Sequence, residues 1–237
     1  MITDFHSHIL PGIDDGSRTV EESIAMLRAE AEQGIKRVVA TPHFYPQQDS
    51  PESFLRKREI AESALREAMA EYDDLPKLIV GAEVYFFRGI CDSEEINTLT
   101  FGKNRCILLE MPNTSWTDAY YREIEAIYER QGITPIIAHV DRYLNPLCDF
   151  GIPRRLSKLP VLVQANASFF LHRSTARMAH RMLRDGHIHF LGSDCHNLTL
   201  RPPNMAQALT AIQRKHGMAP IEQIAQNEAS VFQELVF

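Results

Sequence analysis

The sequence predicts an α/β chain of parallel strands curling towards a barrel near the (β/α)8 type but short by one unit. Three observations carry this. Short β-rich runs alternate with helical stretches, and the strand starts at 78, 106, 134, 161 and 189 lie 27 or 28 residues apart. Metal-seeking side chains stand repeatedly where those strands end. Such a spacing holds one strand and one returning helix, which gives parallel strands with right-handed crossovers. In barrels of this kind the chemistry gathers at the C-terminal ends of the strands.

The elements follow in order. The expected strands are Thr3–Phe5, Arg37–Ala40, Leu78–Gly81, Cys106–Leu109, Thr134–Ala138, Val161–Gln164 and His189–Gly192. Thr19-Val20-Glu21-Glu22 has the spacing of a capping box, and Gly34 stands where a helix-ending glycine would. Ser50-Pro51 opens a long charged helix through Ala70, with proline at the favoured first position. Gly132 and Gly186 close two later helices just before the next strands.

Composition sets the class. The chain has 237 residues, 44% of them hydrophobic, enough to bury one large core, and no stretch resembles a linker. One domain spanning 1–237 is expected. Asp4, His6 and His8 stand where a secretory signal needs an apolar core, and no apolar run approaches membrane-spanning length. The expected location is the cytoplasm, without stable membrane insertion. Four cysteines show no CxxC spacing, which fits a reducing compartment. A net charge of −6 argues against nucleic-acid affinity.

The chemistry sits at the strand ends. The first strand ends in His6-Ser7-His8, the second in Thr41-Pro42-His43 and the third in Ala82-Glu83. Glu110 and His139 close the fourth and fifth, and Asp194-Cys195-His196 the seventh. Both the HxH and the DxH pair have period two, so each pair points to one side of an extended chain. Histidine nitrogen and carboxylate oxygen suit zinc, manganese or iron(II). Taken singly, His43 or His139 reads as a hydrogen-bonded loop histidine and Glu110 as a helix cap. Six strand ends carrying such groups together point to a metal site. His187 and His189 form another HxH but open their strand, about 17 Å of extended chain before Asp194. They read as structural, as do His172, His180 and His216. Cys148 to Arg154 and Cys195 to Arg201 both fit the C-x5-R loop of thiol phosphatases. Asp149 and Pro153 spoil the first as an anion cradle, and His196 interrupts the second.

"DFHSHILPGIDDGS", "ATPHF", "GAEVYF", "LLEMP", "IAHVDRY" and "GSDCHNLTLRPP" resemble the PHP (polymerase and histidinol phosphatase) superfamily. Within it they look most like the bacterial protein-tyrosine phosphatases associated with capsule and exopolysaccharide operons. The motifs run from residue 4 to residue 203 in the family's order. The resemblance implies a distorted (β/α)7 barrel with a trinuclear site of divalent ions, manganese first, with iron or zinc as alternatives. It implies nine ligands: His6, His8, Asp15, His43, Glu83, Glu110, His139, Asp194 and His196, with Glu83 bridging two ions. It also implies phosphate-binding roles for Arg142 and Arg201. Guanidinium suits that task because its forked donors grip two oxygens at once. The expected substrate is a phosphotyrosine protein, an autophosphorylating bacterial tyrosine kinase. Val140-Asp141 stands where the family usually has Pro-Glu, and Phe44 where a second histidine is common. Phe44, Tyr45, Tyr85, Phe86, Trp116 and Tyr143 follow strand ends and could wall a slot for a phenyl ring. The alternatives are a histidinol-phosphate or other small-molecule phosphatase, a TatD-like nuclease, and a metal-binding scaffold without turnover.

Overall fold

The computed structural model describes residues 2–144 and 151–232. Its strands are β1 (Thr3–Ser7), β2 (Arg37–Ala40), β3 (His43–Phe44), β4 (Lys77–Val80), β5 (Glu83–Tyr85), β6 (Cys106–Glu110), β7 (Thr134–Ile137), β8 (Leu162–Asn166) and β9 (Phe190–Gly192). The helices are α1 (Val20–Glu32), α2 (Pro51–Met69), α3 (Asp118–Gln131), α4 (Gly151–Leu156), α5 (Ala176–Arg184), α6 (Met205–His216) and α7 (Ala219–Phe232). All strand pairs are parallel, in the orders β1-β2-β4 and β3-β5-β6-β7-β8-β9.

The two sheets are one curled surface. β2 runs on into β3 and β4 into β5 with the same register, since Ala40 faces Val80 and His43 faces Glu83. Pro42, which has no N–H to donate, stands at the break but still accepts from Glu83 N at 3.0 Å. Beyond β9 the chain returns to β1, with His8 N donating to Cys195 O at 2.9 Å and Asp194 N to His6 O at 2.8 Å.

Each of the seven expected strands is present, but His43 and Glu83 lie inside strand extensions rather than just past strand ends. A second departure is the connection from β5 to β6. Instead of an α-helix it holds two short 3-10 helices, Ile90–Asp92 and Glu94–Leu99. Gly89 at φ +83° and side-chain bonds from Asn97, Thr98 and Thr100 back to nearby carbonyls favour tight turns over a longer helix there.

The helix signals work locally. Thr19 Oγ1 accepts from Glu22 N at 3.2 Å, while the Glu22 carboxylate accepts from Arg18 N instead of completing the box. Ser50 caps α2 and Gly132, at φ +62°, ends α3.

Inside the curl lies a separate apolar cluster of Phe5, Val39, Leu108, Ile136 and Phe190, closed by Val231 and Phe232 of α7. Phe5 stacks on Phe190 at 4.0 Å between centroids. In a regular strand Phe5 and His6 would face opposite ways. The β1–β2 register shifts between Asp4 and Ser7, so this bulge lets Phe5 join the inner cluster while His6 faces the same interior above it.

Candidate metal centre

Glu83, from β5, is the hub. Its Oε1 lies 2.7 Å from His139 Nε2. Its Oε2 lies 2.9 Å from His43 Nδ1, 3.1 Å from His6 Nε2 and 3.3 Å from His8 Nε2. Burial would raise its pKa, but the surrounding imidazoles, His6 first, hold it well below the usual carboxylate range. Asp194 Oδ1 is 3.5 Å from both His6 Nε2 and His8 Nε2. Asp15, exposed at the rim, approaches His196 Nε2 at 3.3 Å and His43 Nε2 at 3.5 Å. Glu110, the last residue of β6, stands 3.7 Å from His139 and 3.9 Å from His43.

The structure therefore brings all nine expected ligands to one mouth. Their ligating atoms form three compact groups: His8 with Asp15, His43 and His196; His6 with His8 and Asp194; and His43 with Glu83 and Glu110. His139 stands outside those groups and is tied to them through Glu83. His43 Nδ1, Glu83 Oε2 and Glu110 Oε2 are buried without a well-aligned hydrogen bond. Buried polar atoms are normally satisfied, so three such atoms converging here fit divalent cations. His139 at φ +30° and Asp194 at φ +55° carry backbone strain at the same place.

Both expected arginines reach this cluster. Arg142 donates to Asp194 Oδ2 at 2.5 Å and lies 3.2 Å from His139 Nε2. Arg201 reaches Asp194 Oδ1 at 2.7 Å and His196 Nε2 at 2.8 Å.

Residues 2–233 match the family described as "Capsular polysaccharide synthesis, CpsB/CapC". The chain belongs to the CpsB/CapC family. Among its relatives is the protein named tyrosine-protein phosphatase CpsB of Streptococcus pneumoniae, 31% identical over 236 residues, covering 90% of each chain. Another, of the same name, comes from Streptococcus agalactiae, at 28% over 232 residues and 93% of each chain. A solved structure, described among "YwqE from Bacillus subtilis and CpsB from Streptococcus pneumoniae, unique metal-dependent tyrosine phosphatases", superposes with a TM-score of 0.83. It is 23% identical, and the match covers 100% of this chain and 96% of that one, a likeness of fold.

In this CpsB/CapC chain a supporting layer that sequence reasoning missed surrounds the ligands. Asp14 Oδ2 accepts from His8 Nδ1 at 2.7 Å and from His43 N at 3.0 Å, and Oδ1 accepts from Gly16 N at 2.9 Å. Burial works against its charge, but His8 and the two backbone donors lower its pKa to about 2. Gln164 Oε1 accepts from His139 N at 2.6 Å and lies 3.3 Å from His6 Nδ1. Asn166 Nδ2 donates to Asp194 Oδ2 at 3.0 Å, and Tyr143 OH is 3.2 Å from His139 Nδ1. The signal for two of them was present: Gln164 and Asn166 repeat the period-two pattern of HxH and DxH at the sixth strand's end. Asp14 stands two residues before Gly16, the spacing of an Asx turn.

The expected aromatic wall is only partly at the mouth. Tyr45 packs at a tilt against His43 at 5.0 Å and Tyr85 at 5.6 Å, beside a cavity of about 370 Å³ that Asp15, His43 and Tyr45 help to line. Trp116, Tyr143 and Arg142 line a second recess of about 490 Å³. Phe44 departs from the expectation: it is buried against Phe54 at 5.1 Å, because β3 turns it away from the face that carries His43. Phe86 packs edge-on against Tyr120, away from His43 and Tyr45.

The cysteine decoys resolve differently. Cys195 is fully buried near Asp4 and Glu30, where burial and those carboxylates push its thiol pKa well above the ordinary value. Cys148 and Asp149 lie outside the described residues. His189 Nδ1 is bound by Val163 N at 3.1 Å, at the strand-start end, in keeping with a structural role.

Proposed function

We propose that this chain is a metal-dependent protein-tyrosine phosphatase. The observation that carries the reading is the mouth itself: orphaned nitrogen and oxygen donors converge around Glu83, and two guanidinium groups flank them on Asp194. The names of its CpsB/CapC relatives support the same class. We assign the nine residues His6, His8, Asp15, His43, Glu83, Glu110, His139, Asp194 and His196 as ligands of three divalent ions, manganese first, with iron or zinc as alternatives. Ions so held lower the pKa of bound water and polarise phosphoryl oxygens. The seven strand lines are taken as one distorted (β/α)7 barrel and the whole of 1–237 as one domain.

Arg142 and Arg201 hold the phosphate, each already anchored on Asp194 so that its free N–H groups are oriented before substrate arrives. Their fixed charges oppose the charge that builds on the phosphoryl oxygens. Tyr45 and Tyr85 flank the phenyl ring of the substrate. A phenolate leaving group, with an unperturbed pKa of about 10, needs less protonation than an alkoxide, which suits a mouth where no dedicated acid stands out among the described residues. The substrate in the cell is an autophosphorylating tyrosine kinase of capsule or exopolysaccharide synthesis, met in the cytoplasm; no helix among the described residues is long and apolar enough to cross a membrane.

The test is one assay on phosphotyrosine and phosphoserine peptides and histidinol phosphate, after chelation and controlled remetallation. Activity restored by metal and highest on phosphotyrosine is expected. A preference for histidinol phosphate would move the substrate to small molecules, and no turnover with any metal would leave a binding scaffold.

A further inference from the structure

Away from the metal ligands, α5, which runs back to the start of β9, meets the last turn of α6, with the rings of His180 and His216 side by side. Between them is a recess of about 320 Å³ lined by Arg177, His180, Arg181, Arg184, Lys215 and His216. In a chain of net charge −6, this concentration of cations is not a sampling of the average surface.

Helix C-termini attract cations, so part of this charge has a local purpose. Each helix end is worth about half a negative charge. Asp185 supplies one more, 3.0 Å from Arg184 and 3.6 Å from Arg181. Against these stand four permanently charged side chains, Arg177, Arg181, Arg184 and Lys215. About two positive charges are left over once both helix ends and Asp185 are counted.

The histidines add an independent observation. His180 is 7% exposed, its ring lies 5.0 Å from that of His216, and the two rings share the recess. His180 Nδ1 and His216 Nε2 are buried with no hydrogen-bond partner. Burial, then Lys215 and His216, pushes the His180 pKa down to about 4, and His216 is likewise lowered. Two rings with buried, unpartnered nitrogens beside this concentration of cations form a pocket short of a polar occupant.

We propose that this recess is a second anion-binding site, separate from the metal centre, that takes a clustered-phosphate group such as a diphosphate. Forked guanidinium groups match phosphate oxygens, so the charged group itself is what is held. The site does not depend on the chemistry assigned to the mouth.

Isothermal titration of inorganic pyrophosphate into the metal-loaded full chain tests it. Wild type should show two classes of site. Arg177→Gln/Arg184→Gln/Lys215→Gln should lose one class, its affinity falling by about tenfold or more. That variant should keep wild-type kcat/KM on an aryl phosphate. Arg56→Gln/Arg122→Gln/Lys158→Gln removes the same charge elsewhere and should keep both classes. Cosedimentation with phosphatidic acid vesicles, against phosphatidylcholine, separates the sources. Vesicle binding that the first triple variant loses, without pyrophosphate binding, puts the phosphate on a lipid. If the triple variant matches wild type in both measurements, or wild type shows neither binding, the proposal is overturned. The cations are then caps on two helix ends, read as a lower melting temperature alone.

Discussion

Asp194 is gripped from both sides, by Arg142 on Oδ2 at 2.5 Å and Arg201 on Oδ1 at 2.7 Å, while Oδ1 also looks towards His6 and His8. The arginines cannot be ligands, because guanidinium stays protonated. Arg142→Ala and Arg201→Ala should therefore keep their metal and lose roughly a hundredfold in kcat/KM. Lysine should rescue only in part, as it restores charge without the fork. Kinetics on an aryl phosphate, with metal content measured on the same samples, check this; near wild-type rates in both alanine variants would remove them from the phosphate site. Asp14 acts one step back, holding His8 through Nδ1. Asp14→Asn should weaken metal binding by about tenfold to a hundredfold, since such partners set ligand orientation and basicity. A metal titration monitored by activity and by elemental analysis decides it. Cys195→Ser should stay active, as its buried thiol is far from being a thiolate.

At the scale of elements, β1 and β9 are packed too closely for ordinary side chains. A Cβ on Gly192 would lie 2.5 Å from the Cβ of His6 and 2.7 Å from Gln164 Nε2. A Cβ on Gly16 would lie 2.2 Å from His8 O. Each glycine thus lets one of the two first-strand histidines sit against a neighbouring backbone. Gly192→Ala should cost about 2 kcal/mol or more in stability and reduce metal content, because β9 must move away from His6. Denaturant unfolding with metal analysis measures both; an unchanged midpoint and full metal would show that the neighbours yield freely.

On the scale of the whole molecule, α7 closes the end of the curl away from the metal centre. Phe232 and Val231 plug the inner apolar cluster, Arg37 lies over the Phe232 ring at 4.3 Å, and Glu228 accepts from Thr3 N at 2.9 Å. Burial raises the Glu228 pKa from 4.5 to about 8 despite the Thr3 hydrogen bonds. The folded state therefore keeps a proton that the unfolded chain releases above pH 4.5, so this group makes stability fall as pH rises from about 4.5 to about 8. Glu228→Gln should match wild type near pH 5 and exceed it near pH 8, by up to a few kcal/mol. Melting temperatures of the two proteins across that range, at fixed metal, are the check. Parallel curves would mean that Glu228 stays ionised in the fold.

The local sequence was enough for the strands, the caps and the ligand types. Strand periodicity, Thr19 and Ser50 at helix starts, Gly132 at an end and the HxH and DxH pairs all act within a few residues. Their physics is backbone sterics and short-range hydrogen bonding. The mouth as a place was legible too, because parallel strands bring their ends together wherever the chain closes. Three things were settled only by tertiary structure. The bulge between Asp4 and Ser7 depends on pairing with β2, so nothing in β1 alone shows that Phe5 and His6 share a side. The roles of Asp14 and Gln164 depend on histidines 6 and 158 positions away, where a hydrogen bond exists only once the fold has set the distance. Phe44 left the mouth for Phe54 because an apolar ring gains more from a buried neighbour than from a wet rim, and which neighbour is within reach is a property of the packed molecule.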